Sequence, residues 1–219
     1  MTGLPLRSAI AALAERRASA QGAGAARREA AERLGVNPDA ATLLVTGGSL
    51  GALHVNESMT GGADALPEGA QVIHLTGRGK DEPVRKAVEA AGLSDRWHVI
   101  DYLTTMEDAL AVADLVVCRS GAGTVAEMEA LGLPCIYVPL PIGNGEQRLN
   151  AADHVAAGGA QLIDDKDFTA EFVRRNVFPL LGSTRLADMA AASQSLGRAG
   201  AARALADLAL AQVKEGGHE

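Results

Sequence analysis

Cys118–Ala151, CRSGAGTVAEMEALGLPCIYVPLPIGNGEQRLNA, decides the fold. An apolar run, Leu115-Val116-Val117, feeds into it, and a turn of small residues, Arg119-Ser120-Gly121-Ala122-Gly123, follows. Thr124 to Leu131 reads as a helix, Gly132 as its break, and Cys135 to Val138 as a second apolar strand. Strand, turn, helix, strand is a βαβ unit. The glycines let backbone N–H groups approach a ligand at the helix start, where an anion is favoured. Pro139 to Gly145 cannot be regular structure and delivers Glu146, Gln147 and Asn150 to the same edge of the sheet. In open parallel sheets that edge, outside the carboxyl ends of the strands, is where ligands bind.

Outward from this unit the pattern repeats. Strands are expected at Thr42–Thr46, Gln71–Leu75, Trp97–Ile100, Leu115–Cys118, Cys135–Val138 and Ala160–Ile163. Helices are expected after Ala52, at Glu82–Ala91, Met106–Ala113 and Gln147–Ala157, then at about 169–180, 185–194 and 199–214. Continuous apolar strands alternating with helices indicate an α/β, doubly wound parallel sheet covered on both faces. Residues 1–34 read as a linker with leading helices, and 35–219 as one domain with carboxyl-terminal helices. The leader divides into two short helices with a flexible break at Gln21-Gly22-Ala23-Gly24. Between residues 7 and 33 six Arg face three Glu, which fits a solvated helix face or a contact with an acidic membrane surface.

Composition bounds the function. A chain 47% hydrophobic and only 3% aromatic suits a packed core, and a net charge of −7 leaves no global footprint for nucleic acid. Cys118 and Cys135 read as buried thiols rather than a disulfide or metal pair. No apolar run approaches the ~18–20 residues that span a bilayer, and no signal-like stretch opens the chain, so the cytoplasm is the expected compartment. None of His54, His74, His98, His154 and His218 has metal-ligand spacing to another, and none is assigned a catalytic role.

Several motifs carry two readings. The loop Gly47-Gly48-Ser49-Leu50-Gly51-Ala52 after the first strand is similar to the cofactor loop of short-chain dehydrogenases. Those enzymes need a Tyr with a Lys four residues on, whereas Tyr102 and Tyr137 are followed at that spacing by Met106 and Pro141. The second strand ends Leu75-Thr76-Gly77-Arg78, without the acidic residue that holds a dinucleotide ribose. Thr124-Val125-Ala126-Glu127 matches a capping box; alternatively, Glu127 accepts hydrogen bonds from a ribose diol. Gln147 and Asn150 either cap the next helix or contact ligand.

Together G-G-S-x-G-A, C-R-S-G-A-x-T-V-x-E, G-L-P-x-x-x-V-P and E-Q-x-x-N-A resemble the carboxyl-terminal half of the MurG family, over nearly the whole chain. The resemblance implies a Rossmann-like domain forming one half of a GT-B glycosyltransferase. It implies transfer of N-acetylglucosamine from UDP-N-acetylglucosamine to lipid I, giving lipid II in peptidoglycan synthesis. By motif, Gly47, Gly48 and Ser49 would hold the diphosphate, with Arg7 reaching in from the linker. The loop at Leu103 would receive the uracil beside Met106. Ser120, Gly121 and Ala122 would offer donors near the diphosphate, and Glu127 would take the ribose hydroxyls. Gln147 and Glu146 would bind the sugar, with Asn150 supporting their loop. Leu50 stands where a Gln is common, and Glu146 where many members have a second Gln. The insert at Ser19–Ala26 is expected to be disordered.

The same resemblance implies an inverting displacement with no cofactor and no metal, and no carboxylate pair for a divalent cation is expected. The catalytic base is expected in a separate amino-terminal half, which would bind lipid I and associate peripherally with the inner leaflet of the cytoplasmic membrane. On that reading this chain by itself transfers no sugar. The alternatives are a stand-alone UDP-sugar-binding subunit that needs a membrane partner, or another GT-B enzyme with a different acceptor.

Overall fold

The computed structural model describes residues 4–48, 52–142 and 144–197. Six strands form one all-parallel sheet: β1 Ala41–Thr46, β2 Ala70–Leu75, β3 Trp97–Ile100, β4 Leu115–Cys118, β5 Cys135–Tyr137 and β6 Ala160–Leu162. Their order is β3-β2-β1-β4-β5-β6. It reverses direction between β1 and β4, where Thr46 stands beside Cys118. Each strand is within a residue of its expected bounds.

Successive residues of a strand point to opposite faces, and here both faces are buried. Leu43 and Val45 of β1, with Leu115 and Val117 of β4, enter a core roofed by α3 Leu53–Gly61, α4 Asp81–Ala90 and the carboxyl-terminal helices, including Phe178 and Met189. Leu44, Ile73, Val116 and Tyr137 enter the opposite core, under α1 Ser8–Arg17, α2 Ala20–Leu34, α5 Met106–Val112 and α6 Ala122–Leu131. Cys118 and Cys135 are buried and unbridged. Among the described residues no helix is long and apolar enough to cross a membrane.

The leading helices differ from expectation. The break lies at Ala18-Ser19, not at Gln21–Gly24, and the stretch expected to be disordered is the start of α2. Ser19 caps α2, its side chain accepting from Gly22 N–H. Gly22 is pressed onto α1: a Cβ there would stand 2.2 Å from the Arg16 carbonyl oxygen. The basic excess is only partly a solvated face: Arg28 and Arg33 are exposed, but most of these arginines are also paired. Arg17 donates to Leu131 O, while Arg16, Arg27 and Arg33 pair with Glu29, Asp114 and Asp108. With Ile10, Leu13 and Ala30 buried, these contacts bind α1 and α2 to the body of the domain.

The expected helix 147–157 is two pieces, α7 Glu146–Asn150 and α8 Ala152–Ala156. The pattern at 169–180 opens as α9 Ala170–Phe172, widens to a π turn at Val173–Val177 and tightens to a 3-10 turn at Phe178–Leu180. Helix α10 spans Thr184–Leu196. The helix expected at 199–214 lies outside the described residues.

Candidate functional site

In a doubly wound sheet the crevice opens where successive crossovers leave to opposite faces. After β1 the chain passes to α3, and after β4 to α6, on the other face. A cleft of ≈ 220 Å³ lies at that point, bordered by Arg7, Thr46, Gly48, Leu103, Met106, Arg119, Thr124 and Glu127. Gly48 has φ +80°, a left-handed conformation open to glycine, and its N–H turns back to Thr46 Oγ1 at 3.2 Å. Ser49 lies outside the described residues, as do Leu50 and Gly51.

Helix α6 begins at Ala122, two residues before the expected start, with Gly121 as its cap and no side-chain capping bond. The capping box therefore does not form. Thr124 sits inside the first turn, and Glu127 is released to another partner. The free N–H groups of that first turn and the helix dipole favour an anion. Ser120 is fully buried, and its Oγ has no hydrogen-bond partner among the described residues.

Glu127 instead receives Arg7 as a fork: Nε donates to Oε1 at 2.7 Å and Nη2 to Oε2 at 2.9 Å. The paired carboxylate, first through its hydrogen bonds, raises the Arg7 pKa above its ordinary value. Arg7 was expected at the diphosphate, yet it stands on the carboxylate expected to hold the ribose. Leu103 and Met106 line the far wall, next to exposed Tyr102. The Arg78 guanidinium lies over the Tyr102 ring, 4.0 Å from its centre.

Glu146 and Gln147 border a second hollow with Pro139, Asn144 and Lys166, after β5 and β6. Neither Gln147 nor Asn150 caps a helix. Gln147 Oε1 accepts from Leu140 N–H at 2.9 Å, and Asn150 Nδ2 donates to Ser120 O at 3.1 Å. Glu146 opens α7 and is exposed. The two clusters that the sequence assigned to one edge thus lie there and are joined through Asn150.

Arg119 stands in the opening motif but received no role from the sequence. Its Nη1 donates to Val138 O and Pro139 O, both at 3.0 Å, and to Asp165. His54 Nδ1 lies 3.1 Å from the other oxygen of Asp165. These contacts join the ends of β4, β5 and β6 to α3. The signal for Arg119 was its position, a cation set between a buried strand and a glycine turn. Asp165-Lys166-Asp167 does spell a carboxylate pair, contrary to expectation; Asp165 is engaged by Arg119 and His54.

The glycosyltransferase family 28 C-terminal domain profile matches residues 42–205. The UDP-N-acetylglucosamine--N-acetylmuramyl-(pentapeptide) pyrophosphoryl-undecaprenol N-acetylglucosamine transferase of Bifidobacterium longum (strain DJO10A) is 48% identical, over 93% of this chain and 55% of its own length. The like-named protein of Mycobacterium avium (strain 104) is 44% identical, over 96% of this chain and 49% of its own. The chain spans about half the length of these curated relatives. Among solved structures, MurG of Acinetobacter baumannii superposes with TM-score 0.69 at 25% identity, covering 82% of this chain and 52% of that one. WaaG, a glycosyltransferase involved in lipopolysaccharide biosynthesis, shares the fold, with TM-score 0.61 at 18% identity over 84% of this chain and 50% of its own.

Proposed function

The chain belongs to the glycosyltransferase family 28 C-terminal domain family, and from that premise we propose that it is the donor-binding half of an inverting hexosyltransferase. The donor is UDP-N-acetylglucosamine, and the acceptor is lipid I, held by an amino-terminal half of the kind that would fill out the relatives' length. One observation carries the reading: a cleft at the sheet's reversal point unites a glycine loop, the start of α6, Arg7 and Glu127.

In this reading the diphosphate lies between Gly47-Gly48-Ser49 and the Ser120-Gly121-Ala122 turn, the ribose reaches Glu127, and the uracil enters beside Leu103 and Met106. The sugar extends toward Gln147 and Glu146. The acceptor hydroxyl attacks the anomeric carbon as the bond from that carbon to the diphosphate oxygen breaks, so the configuration inverts. Negative charge grows on the departing UDP. Preoriented N–H groups and the α6 dipole stabilise it without reorganising; loss of one such donor typically costs ~10²–10³ in rate. The base that takes the acceptor proton belongs to the amino-terminal half. That half also brings the assembly to the inner leaflet of the cytoplasmic membrane, as a peripheral protein on the cytoplasmic side.

Holding both substrates together contributes roughly 7–11 kcal/mol to lowering such a barrier, so the domain by itself is expected not to turn over. The test is calorimetry with UDP-N-acetylglucosamine, UDP and NAD. A radiolabelled transfer assay with lipid I follows, with and without an amino-terminal half from the Bifidobacterium longum relative. The expected results are displacement by UDP, none by NAD, and turnover only with the added half. Equal binding of NAD would sink the donor assignment. Turnover by the domain by itself would move the acceptor site into it.

A further inference from the structure

Resting on that donor-site reading, we infer that Asp165, acting through Arg119, is a positioning residue that fixes how Gln147 faces the hollow beyond β5. A single peptide unit makes the link. The carbonyl of Pro139 accepts from Arg119 Nη1 at 3.0 Å, and the N–H of the same unit, on Leu140, donates to Gln147 Oε1 at 2.9 Å. A peptide unit is planar, so holding its oxygen sets the direction of its N–H. A backbone N–H can only donate, so the end of the Gln147 amide that meets it is the oxygen. The Nε2 donors of Gln147 remain for a ligand, and they suit the hydroxyl and carbonyl oxygens of an acetylated sugar.

Asp165 keeps Arg119 in that place. Arg119 Nη1 also donates to Val138 O at 3.0 Å and to Asp165 Oδ1, while the other Asp165 oxygen lies 3.1 Å from His54 Nδ1 on α3. The Arg119 and Asp165 side chains are only 14% and 15% exposed, so solvent screens the pair little and its charge-assisted bond is strong. Arg119 borders the cleft at the sheet's reversal point, and Asp165 borders the hollow with Gln147. The ion pair is therefore part of the wall between the two. Without Asp165 the buried guanidinium loses its carboxylate, and a phosphate in the cleft is the anion it can turn to. It then leaves Pro139 O, and the 139–140 peptide unit and Gln147 lose their fixed orientation. UDP, which ends at the diphosphate, keeps its hold; the sugar of UDP-N-acetylglucosamine does not.

Calorimetry of UDP and UDP-N-acetylglucosamine with the 219-residue protein tests this. The readout is the ratio of the two dissociation constants, because a general loosening of the fold moves both together. Asp165→Ala should weaken UDP-N-acetylglucosamine about tenfold relative to UDP, the scale of one well-placed hydrogen bond. Asp165→Asn keeps an oxygen within reach of Arg119 and should hold the ratio within about threefold of wild type. A buried cation left unpaired also lowers stability, so melting curves accompany each titration. The double variant Arg119→Gln/Asp165→Asn removes both charges together, and its shorter side chain at 119 falls short of Pro139 O; it should shift the ratio as Asp165→Ala does. An unchanged ratio in Asp165→Ala, or in the double variant should Asp165→Ala not melt as a folded protein, would overturn the inference and leave the donor site standing. A ratio shifted as far in Asp165→Asn as in Asp165→Ala would overturn it too, since the retained oxygen would then not be what holds Arg119. Wild-type protein that binds neither nucleotide would overturn the donor reading itself, and this inference with it.

Discussion

Asn150 Nδ2 donates to the Ser120 carbonyl oxygen at 3.1 Å, so the helix carrying Gln147 is fastened to the turn that opens α6. The two are thirty residues apart in sequence, one after β5 and the other after β4. Asn150→Ala should free the Gln147 loop, the proposed sugar side, and leave the α6 turn, the proposed diphosphate side, in place. Loss of one neutral hydrogen bond is worth about 0.5–1.5 kcal/mol. Calorimetry should show UDP-N-acetylglucosamine weakened by up to about tenfold and UDP nearly unchanged. Equal weakening of both would mean that the bond orders the α6 turn instead.

Glu127 faces the cleft because the capping box does not form, and the proposed ribose contact follows from that. Glu127→Ala should weaken UDP by about 1.5–3 kcal/mol, the range for hydrogen bonds to a charged group, and 2′,3′-dideoxy-UDP far less. Isothermal titration of both nucleotides checks this. Equal losses would show that Glu127 acts through the charge it presents to Arg7 rather than through the diol.

Gly22 is required by the contact between α1 and α2. With a Cβ 2.2 Å from Arg16 O, Gly22→Ala must push the two helices apart. A cost of about 1–3 kcal/mol, typical of overpacking, should appear as a lower urea midpoint. A gain in stability, as expected for Gly to Ala in a free helix, would mean that the two helices are not packed as described.

Two buried histidines make stability depend on pH. Burial holds His74 at about 3 and His154 at about 4, well below the ordinary histidine value of 6.5. His74 Nδ1 accepts from Trp97 Nε1, and its Nε2 meets Asn56 Oδ1; His154 lies between Tyr137 and Ser193. The depressed values mean that below about 6.5 the unfolded chain takes up protons that the folded chain refuses. Stability is therefore full above that pH and falls as acid is added, with a slope from His74 of at most about 1.4 kcal/mol per pH unit. Urea midpoints measured from neutral to mildly acid pH should fall, and His154→Gln should flatten the curve. An unchanged slope in His154→Gln would exclude His154 as one of the groups responsible.

The candidate site was legible in part. Its location followed from the order of apolar runs and glycine turns, because a βαβ crossover puts successive strand ends on one edge. Arg7 and Glu127 were both named, yet their pairing was not, since nothing local links residues 120 positions apart. The cap at Gly121 was missed for a subtler reason. Ser, Thr and Gly all serve as caps, and the helix starts from Gly121 rather than Thr124.

The sequence by itself determined the strands, the helices that alternate with them and the family, because the central strands are mostly apolar runs buried on both sides and most turns are marked by glycine or proline. Tertiary structure decided the rest. It made α2 from a stretch that reads as a flexible break, because Gly22 can lie against Arg16 O and Arg27 can reach Asp114. It turned Glu127 from a cap into the partner of Arg7, and engaged Asp165 with Arg119 and His54. Local periodicity records which face of an element is buried; which charges meet depends on how the chain returns through space.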